Sequence, residues 1–334
     1  MLTASTDPTV LGNITEKVEA LAVDDRRLYW LGTDGNADGR KVSLRSCLKE
    51  QCVDSLVTYA ADRVNEASGF GLENGEIYWF QPDQSGQWNL LACDVAGCGK
   101  QPRNVGFGTP SAPGISAFTP EALYFCSTLD GLRRVSLSGD AASNKLDSDA
   151  AHGCNSLTVG GGYVYWSVST AGPLYGIATI GRIRSDGTGP VETIADNLEM
   201  LPSSNDEYPS NVVAVDETSV YWSQGALRGS IARCPLSGCV EAPQILAAPI
   251  RSPTTLLLNG SEIYWQHGTS TQGNAVSTCS VAQCVLTEPI VQRLESANVL
   301  AVDDRYFYTA TTTQRLSADA YWTDPIAEIR RFPK

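Results

Sequence analysis

One motif organises this chain: an apolar stretch that passes through a tight turn and ends in tyrosine followed by a second aromatic. The copies are AVDDRRLYW at Tyr29-Trp30, GLENGEIYW at Tyr78-Trp79, AFTPEALYF at Tyr124-Phe125, TVGGGYVYW at Tyr165-Trp166, AVDETSVYW at Tyr221-Trp222, LLNGSEIYW at Tyr264-Trp265 and AVDDRYFYT at Tyr308-Thr309. Successive tyrosines stand 49, 46, 41, 56, 43 and 44 residues apart. A unit this short cannot bury its own apolar face, so it has to stack on its neighbours.

The columns of the repeat say what each unit is. Six residues before the tyrosines stand Val23, Leu72, Phe118, Val159, Val215, Leu258 and Val302. Two residues earlier stand Leu21, Phe70, Ser116, Leu157, Val213, Leu256 and Leu300. This is period-two alternation with one exception, Ser116, and predicts a strand with one face in a core. The column between them is mostly small (Ala22, Gly71, Ala117, Thr158, Ala214, Leu257, Ala301), which suits a strand crowded around an axis. An Asp, Asn or Gly turn follows, then the aromatic second strand. A tyrosine and an aromatic repeated in every unit read as core between neighbours rather than as a ligand stripe. A third strand follows, as in GRKVSLRSC (39–47) and GSIARCPL (229–236), and a fourth, as in ETIAD (192–196) and QILAA (244–248). The last unit lacks a fourth strand, because the chain stops at AEIRRFPK (327–334), while TVLGNIT (9–15) is a strand with no unit before it. Pairing the two removes the open edge. The sequence therefore predicts an all-β, seven-bladed β-propeller of four-stranded blades, one domain over 1–334, closed by its N-terminal strand (9–15).

The repeats resemble the YWTD class of β-propeller and the secreted repeat propellers common in myxobacteria. The likeness covers nearly the whole chain. Tyrosine-aromatic is kept in six copies, but Thr-Asp does not follow it (Leu31-Gly32, Phe80-Gln81, Ser223-Gln224). A literal YWTD at Tyr321 to Asp324 stands 13 residues out of register. The resemblance thus implies the architecture and no receptor function.

Ten cysteines point to the compartment. Eight form C-x4-C pairs, Cys47/Cys52, Cys93/Cys98, Cys234/Cys239 and Cys279/Cys284, each expected at the hairpin between third and fourth strands. A four-residue loop between facing strand positions brings two Cα atoms within disulfide reach. A metal site would need clustered ligands, whereas these pairs belong to different blades and have no histidine beside them. Cys126 and Cys154 fall at strand ends of adjacent blades and form the expected fifth bond. Five disulfides imply an oxidising compartment, so an extracellular, periplasmic or cell-surface location is expected. The first eight residues, MLTASTDP, are polar, and an export signal is expected to have been removed. A net charge of −13 disfavours nucleic acid and anionic membranes as partners. No apolar run is long enough to span a membrane.

Chemistry is expected on the face where fourth-to-first and second-to-third connections meet, by analogy with other propellers. Ten residues before each tyrosine stand Glu19, Ser68, Gly114, Asn155, Asn211, Thr254 and Asn298; three further upstream stand Glu16, Asn65, Ser111, His152, Tyr208, Arg251 and Glu295. These polar rings are the candidate site, although wet strand ends are polar in any case. Glu19, Asn155, Asn211 and Asn298 carry oxygens that suit calcium. Calcium-dependent lactonase and esterase propellers resemble this arrangement, but have six blades. His152 and His267 are the only histidines. The simplest expectation makes both exposed loop residues; a general base oriented by Glu295 or Asp206 is the alternative. No G-x-S-x-G and no sialidase S-x-D-x-G-x-T-W box occurs, and Gly160-Gly161-Gly162 reads as a β-turn rather than a phosphate cradle. Asp24-Asp25 and Asp303-Asp304 read as turn residues. The long connections 169–181, 198–211 and 309–325 carry Tyr175, Tyr208, Tyr321 and Trp322, aromatics that suit sugar or peptide recognition. The sequence reading is a secreted, monomeric, non-catalytic recognition module for extracellular protein or glycan, with His152, Tyr208, Arg251, Glu295, His267 and Trp322 as its ligand-binding residues. The alternatives are a calcium-assisted hydrolase and a structural cell-surface protein.

Overall fold

The computed structural model describes residues 9–14, 16–33, 42–60, 68–99, 101–109, 113–127, 131–137, 143–147, 154–170, 177–199, 212–225, 229–239, 242–250, 253, 255–269, 273–284, 291–294, 299–313 and 326–334. It is a seven-bladed β-propeller of four-stranded antiparallel blades. Strand β1 (Thr9–Ile14) opens the chain. Blade 1 is β2 (Lys17–Val23), β3 (Arg27–Thr33), β4 (Val42–Leu48) and β5 (Val57–Ala60); blade 2 is β6 (Ser68–Glu73), β7 (Glu76–Pro82), β8 (Trp88–Asp94) and β9 (Arg103–Thr109). Blade 3 is β10 (Pro113–Phe118), β11 (Ala122–Ser127), β12 (Gly131–Ser136) and β13 (Ser143–Asp147); blade 4 is β14 (Cys154–Gly160), β15 (Tyr163–Thr170), β16 (Ile177–Arg184) and β17 (Glu192–Glu199). Blade 5 is β18 (Val213–Val215), β19 (Ser219–Gln224), β20 (Gly229–Pro235) and β21 (Gln244–Ile250); blade 6 is β22 (Thr255–Asn259), β23 (Glu262–Thr269), β24 (Gly273–Ser280) and β25 (Val291–Leu294). Blade 7 is β26 (Val299–Val302), β27 (Tyr306–Thr313) and β28 (Ile326–Pro333), completed by β1, which pairs antiparallel with β28. The N-terminal strand thus supplies the missing fourth strand, as its orphan position in the repeat predicts.

Contacts divide the chain into two compact units. The first comprises Met1–Pro82, Leu90–Asn104 and Arg293–Lys334; the second comprises Asp83–Asn89 and Val105–Gln292. Within the first, β2 meets β26 and β6; within the second, β14 meets β10 and β18, and β18 meets β22. Neighbouring blades of a unit therefore touch through their first strands, where the small-residue column runs.

The signature aromatics fill the space between blades. Every signature tyrosine is at most 3 % exposed, and every residue after it at most 2 %. Trp30 packs with Leu11, Tyr308 and Ile329 across blades 7 and 1; Trp79 packs with Tyr29 and Tyr59 across blades 1 and 2. In the second unit Trp166 packs with Tyr124, Trp222 with Tyr165, and Trp265 with Tyr221. Burying a phenol costs free energy unless its hydroxyl is paired. Where the turn carries an aspartate five residues upstream, that carboxylate does the pairing. Tyr29 donates to Asp24 at 2.6 Å, Tyr221 to Asp216 at 2.6 Å and Tyr308 to Asp303 at 2.7 Å. The other oxygen of each carboxylate accepts two backbone N–H groups of its own turn. One side chain therefore fixes the turn and satisfies the core tyrosine, and Asp24 and Asp303 are turn residues as the sequence implies. The Gly160-Gly161-Gly162 run is likewise a turn: Gly161 and Gly162 take φ of 58° and 77° between β14 and β15, a conformation that strains any side chain.

A second recurring bond ties blade to blade. Two residues beyond the third-strand position facing the residue before the signature tyrosine, each blade brings a backbone N–H to its own first turn. There Lys49, Val95, Leu137, Ser185, Leu236, Val281 and Lys334 each donate their N–H to a carbonyl of their own blade's first turn. In five blades the carbonyl of that same residue accepts a donor from the preceding blade of its unit. Arg331 donates to Lys49 at 3.1 Å, the Tyr59 hydroxyl to Val95 at 2.6 Å and the Tyr124 hydroxyl to Ser185 at 2.8 Å. Arg182 donates to Leu236, and Arg233 to Val281 at 2.5 Å. In four of these five blades the acceptor lies inside a C-x4-C loop.

All ten cysteines are paired as expected, and none is free. The bonds are Cys47–Cys52, Cys93–Cys98, Cys234–Cys239 and Cys279–Cys284, with Cα separations of 4.6 to 5.5 Å, and Cys126–Cys154, which joins blade 3 to blade 4 at 5.7 Å. The placement of the second cysteine in each C-x4-C pair corrects the sequence expectation of facing strand positions. Cys47, Cys93, Cys234 and Cys279 are indeed the last residue but one of a third strand. Cys52, Cys98, Cys239 and Cys284 are not on fourth strands, which open only at Val57, Arg103, Gln244 and Val291. The cause is a tight turn inside the loop. The chain folds back as soon as the third strand ends: Gln51 N–H donates to Leu48, Gly97 to Asp94 and Gly238 to Pro235. The second cysteine is thereby curled back beneath the first before any fourth strand has formed. Each bond clamps the turn that presents the latch carbonyl, rather than cross-linking two strands.

Two stability outcomes follow. A cross-link restrains the unfolded chain more when it closes a longer loop. The sequence separations of 28 and 5 therefore rank Cys126–Cys154 above any C-x4-C bond, at about 3.6 against about 2 kcal/mol. Denaturant unfolding of the paired Cys→Ala variants should return that order. Arg182→Ala removes the Leu236 latch, the Glu192 ion pair and the cation–π contact with Tyr163. It should cost about 3 kcal/mol, whereas Arg184→Ala, which faces Asp186 across solvent at 3.7 Å, should cost under about 0.5 kcal/mol in the same assay.

Candidate functional site

The described candidate residues belong to the blade edge where strand one begins and strand two ends. Of those named from sequence, His152, Tyr208, Arg251, Glu295, Trp322, Asn211 and Asn298 lie outside the described residues, as do Tyr175, Tyr321 and Asp206. Glu19, Asn155 and His267 are described.

Glu19 and Asn155 occupy equivalent places, and both are bulged residues. The β2–β3 register skips Glu19, passing from Val18↔Gly32 to Ala20↔Leu31. The β14–β15 register skips Asn155, passing from Cys154↔Val168 to Ser156↔Ser167. Blade 3 has its own irregularity between Pro113 and Ser116, around Gly114. Strict alternation would put Glu19 on the face of Leu21 and Val23, and Asn155 on the face of Leu157 and Val159. An inserted residue breaks the alternation and re-aims a polar side chain out of the core. Glu19 is exposed, with Lys17 at 3.0 Å and the Thr33 hydroxyl at 3.1 Å. Asn155 is half-buried, and its amide nitrogen has no partner.

Glu16, one step upstream in the ring column, is not an open ligand. It is 6 % exposed, accepts from Ser43 Oγ at 2.6 Å and pairs with Arg45 at 2.9 Å. Its side chain occupies the space a Cβ at Gly32 would need, which is why that position is glycine. In the second unit Ser156 and Ser223 are buried and hold the start of β18: Val213 N–H donates to Ser156 and Val212 N–H to Ser223, both at 3.0 Å.

His267 departs from the sequence expectation. It is not an exposed loop residue but lies within β23, opposite Ala275 of β24. Strand β23 runs to Thr269, longer than the repeat implies, and carries the ring into a half-buried position. His267 Nε2 and Ser277 Oγ share a hydrogen bond of 2.8 Å. Burial pushes the imidazole pKa below its ordinary value, because little water remains to solvate the cation. The described partner is thus a hydroxyl, while Glu295 and Asp206 lie outside the described residues.

Sequence reasoning missed one feature beside it. Three residues after the signature tyrosine stand Gln81, Gln224 and His267 in blades 2, 5 and 6. Trp79 Nε1 donates to Gln81 Oε1 at 3.3 Å, and Trp222 Nε1 to Gln224 Oε1 at 3.0 Å. The recurring W-x-Q was the available signal. In blade 6 the place of the glutamine is taken by His267, and Trp265 Nε1 is buried with no partner. Gln266, 2 % exposed, also has an amide nitrogen without a partner.

Elsewhere, shifted acids serve the fold. Burial alone would raise Asp216 and Asp303, but the tyrosine hydroxyl and backbone N–H bonds, with Lys49 at 2.7 Å on Asp303, hold both below the ordinary range. Burial and the Glu76 carboxylate push the Tyr78 phenol up to about 12. Among the described residues no group of three or more His, Cys, Asp or Glu side chains could hold a metal ion.

The His267 shift fixes a pH dependence. The unfolded chain binds the proton at about pH 6.5, above the folded value, so unfolding takes up a proton and stability rises with pH. The stabilising effect is complete above the unfolded pKa and is lost as the pH falls toward the folded one. His267→Gln removes this component. Urea midpoints at pH 7.5 and 5.5 should show the variant gaining on the parent as the pH falls; a constant difference would place His267 in water.

No family model matches the chain, and no curated protein is similar to it. Solved structures are. The β-propeller domain of the Trilobed protease from Pyrococcus furiosus matches with a TM-score of 0.64 at 7 % identity, over 95 % of each chain. That propeller is described as having an open velcro topology, whereas here β1 completes the last blade. A prolyl endopeptidase matches with a TM-score of 0.60 at 11 % identity; the match covers 94 % of this chain and 50 % of the peptidase. The computationally designed Ika8 protein matches with a TM-score of 0.58 at 10 % identity, over 97 % of this chain and 98 % of the design. At such identities the likeness establishes the β-propeller fold and nothing finer.

Proposed function

We propose that this protein is a non-catalytic recognition module of an oxidising compartment, binding a protein or glycan at the blade edge that carries Asn155 and His267. The observation behind the proposal is the state of the polar side chains there. Asn155, Trp265 and Gln266 hold buried donors without partners, and two of the ring residues are placed by β-bulges. Unsatisfied buried donors are costly, and a ligand that supplies acceptors recovers that cost on binding. The groups with the largest titration shifts, by contrast, are spent on turns and tyrosines. The five disulfides support an extracellular or periplasmic setting, in keeping with the resemblance of the repeats to secreted YWTD-like propellers. Among the described residues no helix is long and apolar enough to cross a membrane.

Calcium-assisted hydrolysis is the competing reading, with Glu19, Asn155, Asn211 and Asn298 as its oxygen ligands. One pair of measurements separates the two. The purified protein is screened against secreted proteins and a glycan array, with Asn155→Leu beside it. Recognition predicts a saturable partner whose affinity falls at least tenfold in the variant. In parallel, melts with EDTA and with added calcium are recorded, and lactone and ester substrates are tried. A large calcium-dependent shift together with EDTA-sensitive turnover would replace the recognition reading by the hydrolase. No partner and no turnover would leave a structural surface protein.

A further inference from the structure

In blades 2 and 5 the chain fills the indole N–H of its buried tryptophan with its own carboxamide. Blade 6 keeps the tryptophan and removes the carboxamide. Trp265 is 1 % exposed, and Nε1 has no acceptor. Ser277 stands directly opposite Trp265 in the β23–β24 register, so both side chains lie on one face of the blade. Two residues on, His267 lies on that face too, where Gln224 lies in blade 5. Its Nε2 is engaged with Ser277 Oγ at 2.8 Å. Blade 1 also lacks a glutamine, having Gly32 there, and Trp30 Nε1 is likewise without a partner. In that blade, however, the buried Glu16 side chain occupies the place beside Gly32, so no ligand can enter it.

The free hydrogen-bonding capacity of blade 6 can be counted. Neutral histidine has one N–H and one bare nitrogen, and serine has one O–H. After their mutual bond, either tautomer leaves one donor and two acceptor lone pairs. With Trp265 Nε1 the cluster therefore offers a fixed donor beside one further donor and two acceptor lone pairs. An amide is complementary: its carbonyl oxygen accepts the indole N–H, and its N–H donates to one of the remaining lone pairs. A carboxylate would leave both lone pairs unmatched, and a hydrocarbon would leave everything unmatched.

Resting on the recognition reading above, we propose that Trp265, His267 and Ser277 form an amide subsite, which takes a carboxamide or peptide carbonyl of a protein partner in the place that glutamine fills in the sister blades. His267→Gln then closes the subsite from within, because the new carboxamide caps Trp265 as Gln224 caps Trp222.

The test reads the indole N–H resonances of the ¹⁵N-labelled full chain. Acetamide stands for a side-chain carboxamide, N-methylacetamide for the backbone, and N-acetylglucosamine for a glycan amide. Trp265→Phe assigns the Trp265 resonance; should that variant not fold, His267→Gln assigns it, since it should move this indole alone. The expected result is a saturable shift of the Trp265 resonance with at least one of the two simple amides and none with acetate. In His267→Gln the shift should vanish, and the indole should exchange more slowly with solvent. Equal shifts of all indoles, undiminished binding in His267→Gln, or no slowing of exchange would each overturn the proposal. A response to N-acetylglucosamine without either simple amide would overturn the peptide assignment. Amide binding in a protein with no macromolecular partner would sink the recognition reading and leave the subsite standing.

Discussion

The architecture depends on one backbone group in each blade, the peptide two residues beyond the third-strand position that faces the residue before the signature tyrosine. Its N–H is bonded to its own blade in all seven repeats. In five of them its carbonyl accepts from the preceding blade of the same unit. Aromatic packing between blades is worth more in area, but it has no direction and tolerates sliding. A latch to a single carbonyl sets how one blade sits on the next. Its donors differ: two tyrosine hydroxyls and three arginine guanidiniums do the same task. Three of the donors, Arg182, Arg233 and Arg331, pair directly with the signature tyrosine of their own blade. The acceptor position is invariant across these blades while the donor drifts, as expected when the geometric requirement lies on the backbone.

This accounts for where the disulfides are. A tight cross-link of sequence separation 5 contributes little loop entropy. Its value lies in the turn it clamps. Four of the five latch carbonyls stand within such turns, and the exception, Ser185 in blade 4, sits in a turn already restricted by Asp186, which caps the Thr188 N–H at 2.8 Å. The remaining bond, Cys126–Cys154, links blades 3 and 4 covalently at the other edge, where β11 ends and β14 begins, while Tyr124 latches to Ser185 beside the β14–β15 turn.

Much of the fold was legible because it rests on periodicity. Alternation at Leu21 and Val23, the spacing of the tyrosines, and an orphan first strand matched to a last unit that is one strand short need no knowledge of side-chain contacts. The Cys126–Cys154 pairing could be read for the same reason, since strand ends of adjacent repeats are placed by the count alone. The partners of the short bonds could be read from spacing, but the seats of Cys52, Cys98, Cys239 and Cys284 could not, because a local turn and not the repeat decides them. The candidate site was legible only as a column. Glu19 and Asn155 were found because they are equivalent by register, but the bulges on which they sit leave no mark in composition. His267 was misplaced because β23 continues past the point where the repeat suggests a loop, and burial rather than a charged neighbour sets its titration. The inter-blade donors were illegible, since a guanidinium reaching another blade's carbonyl has no local sequence correlate.

The same constraint explains how the repeat can vary where function would reside. Latch and Asp–Tyr clasp both lie at the edge holding the turn between strands one and two. At the opposite edge the aromatic column ends, and the positions beyond it are free to differ: Leu31-Gly32, Phe80-Gln81, Ser223-Gln224 and Gln266-His267. In blades 2 and 5 a glutamine there completes the core by capping an indole, whereas in blade 1 a glycine makes room for a buried glutamate. Blade 6 has neither device, and leaves two buried donors on adjacent residues, Trp265 and Gln266. Sequences otherwise consistent from propensity to packing tend to break such rules where an external group completes the set. Because each blade is fixed at the far edge by its neighbour, that incompleteness can be held in place without loosening the strands around it.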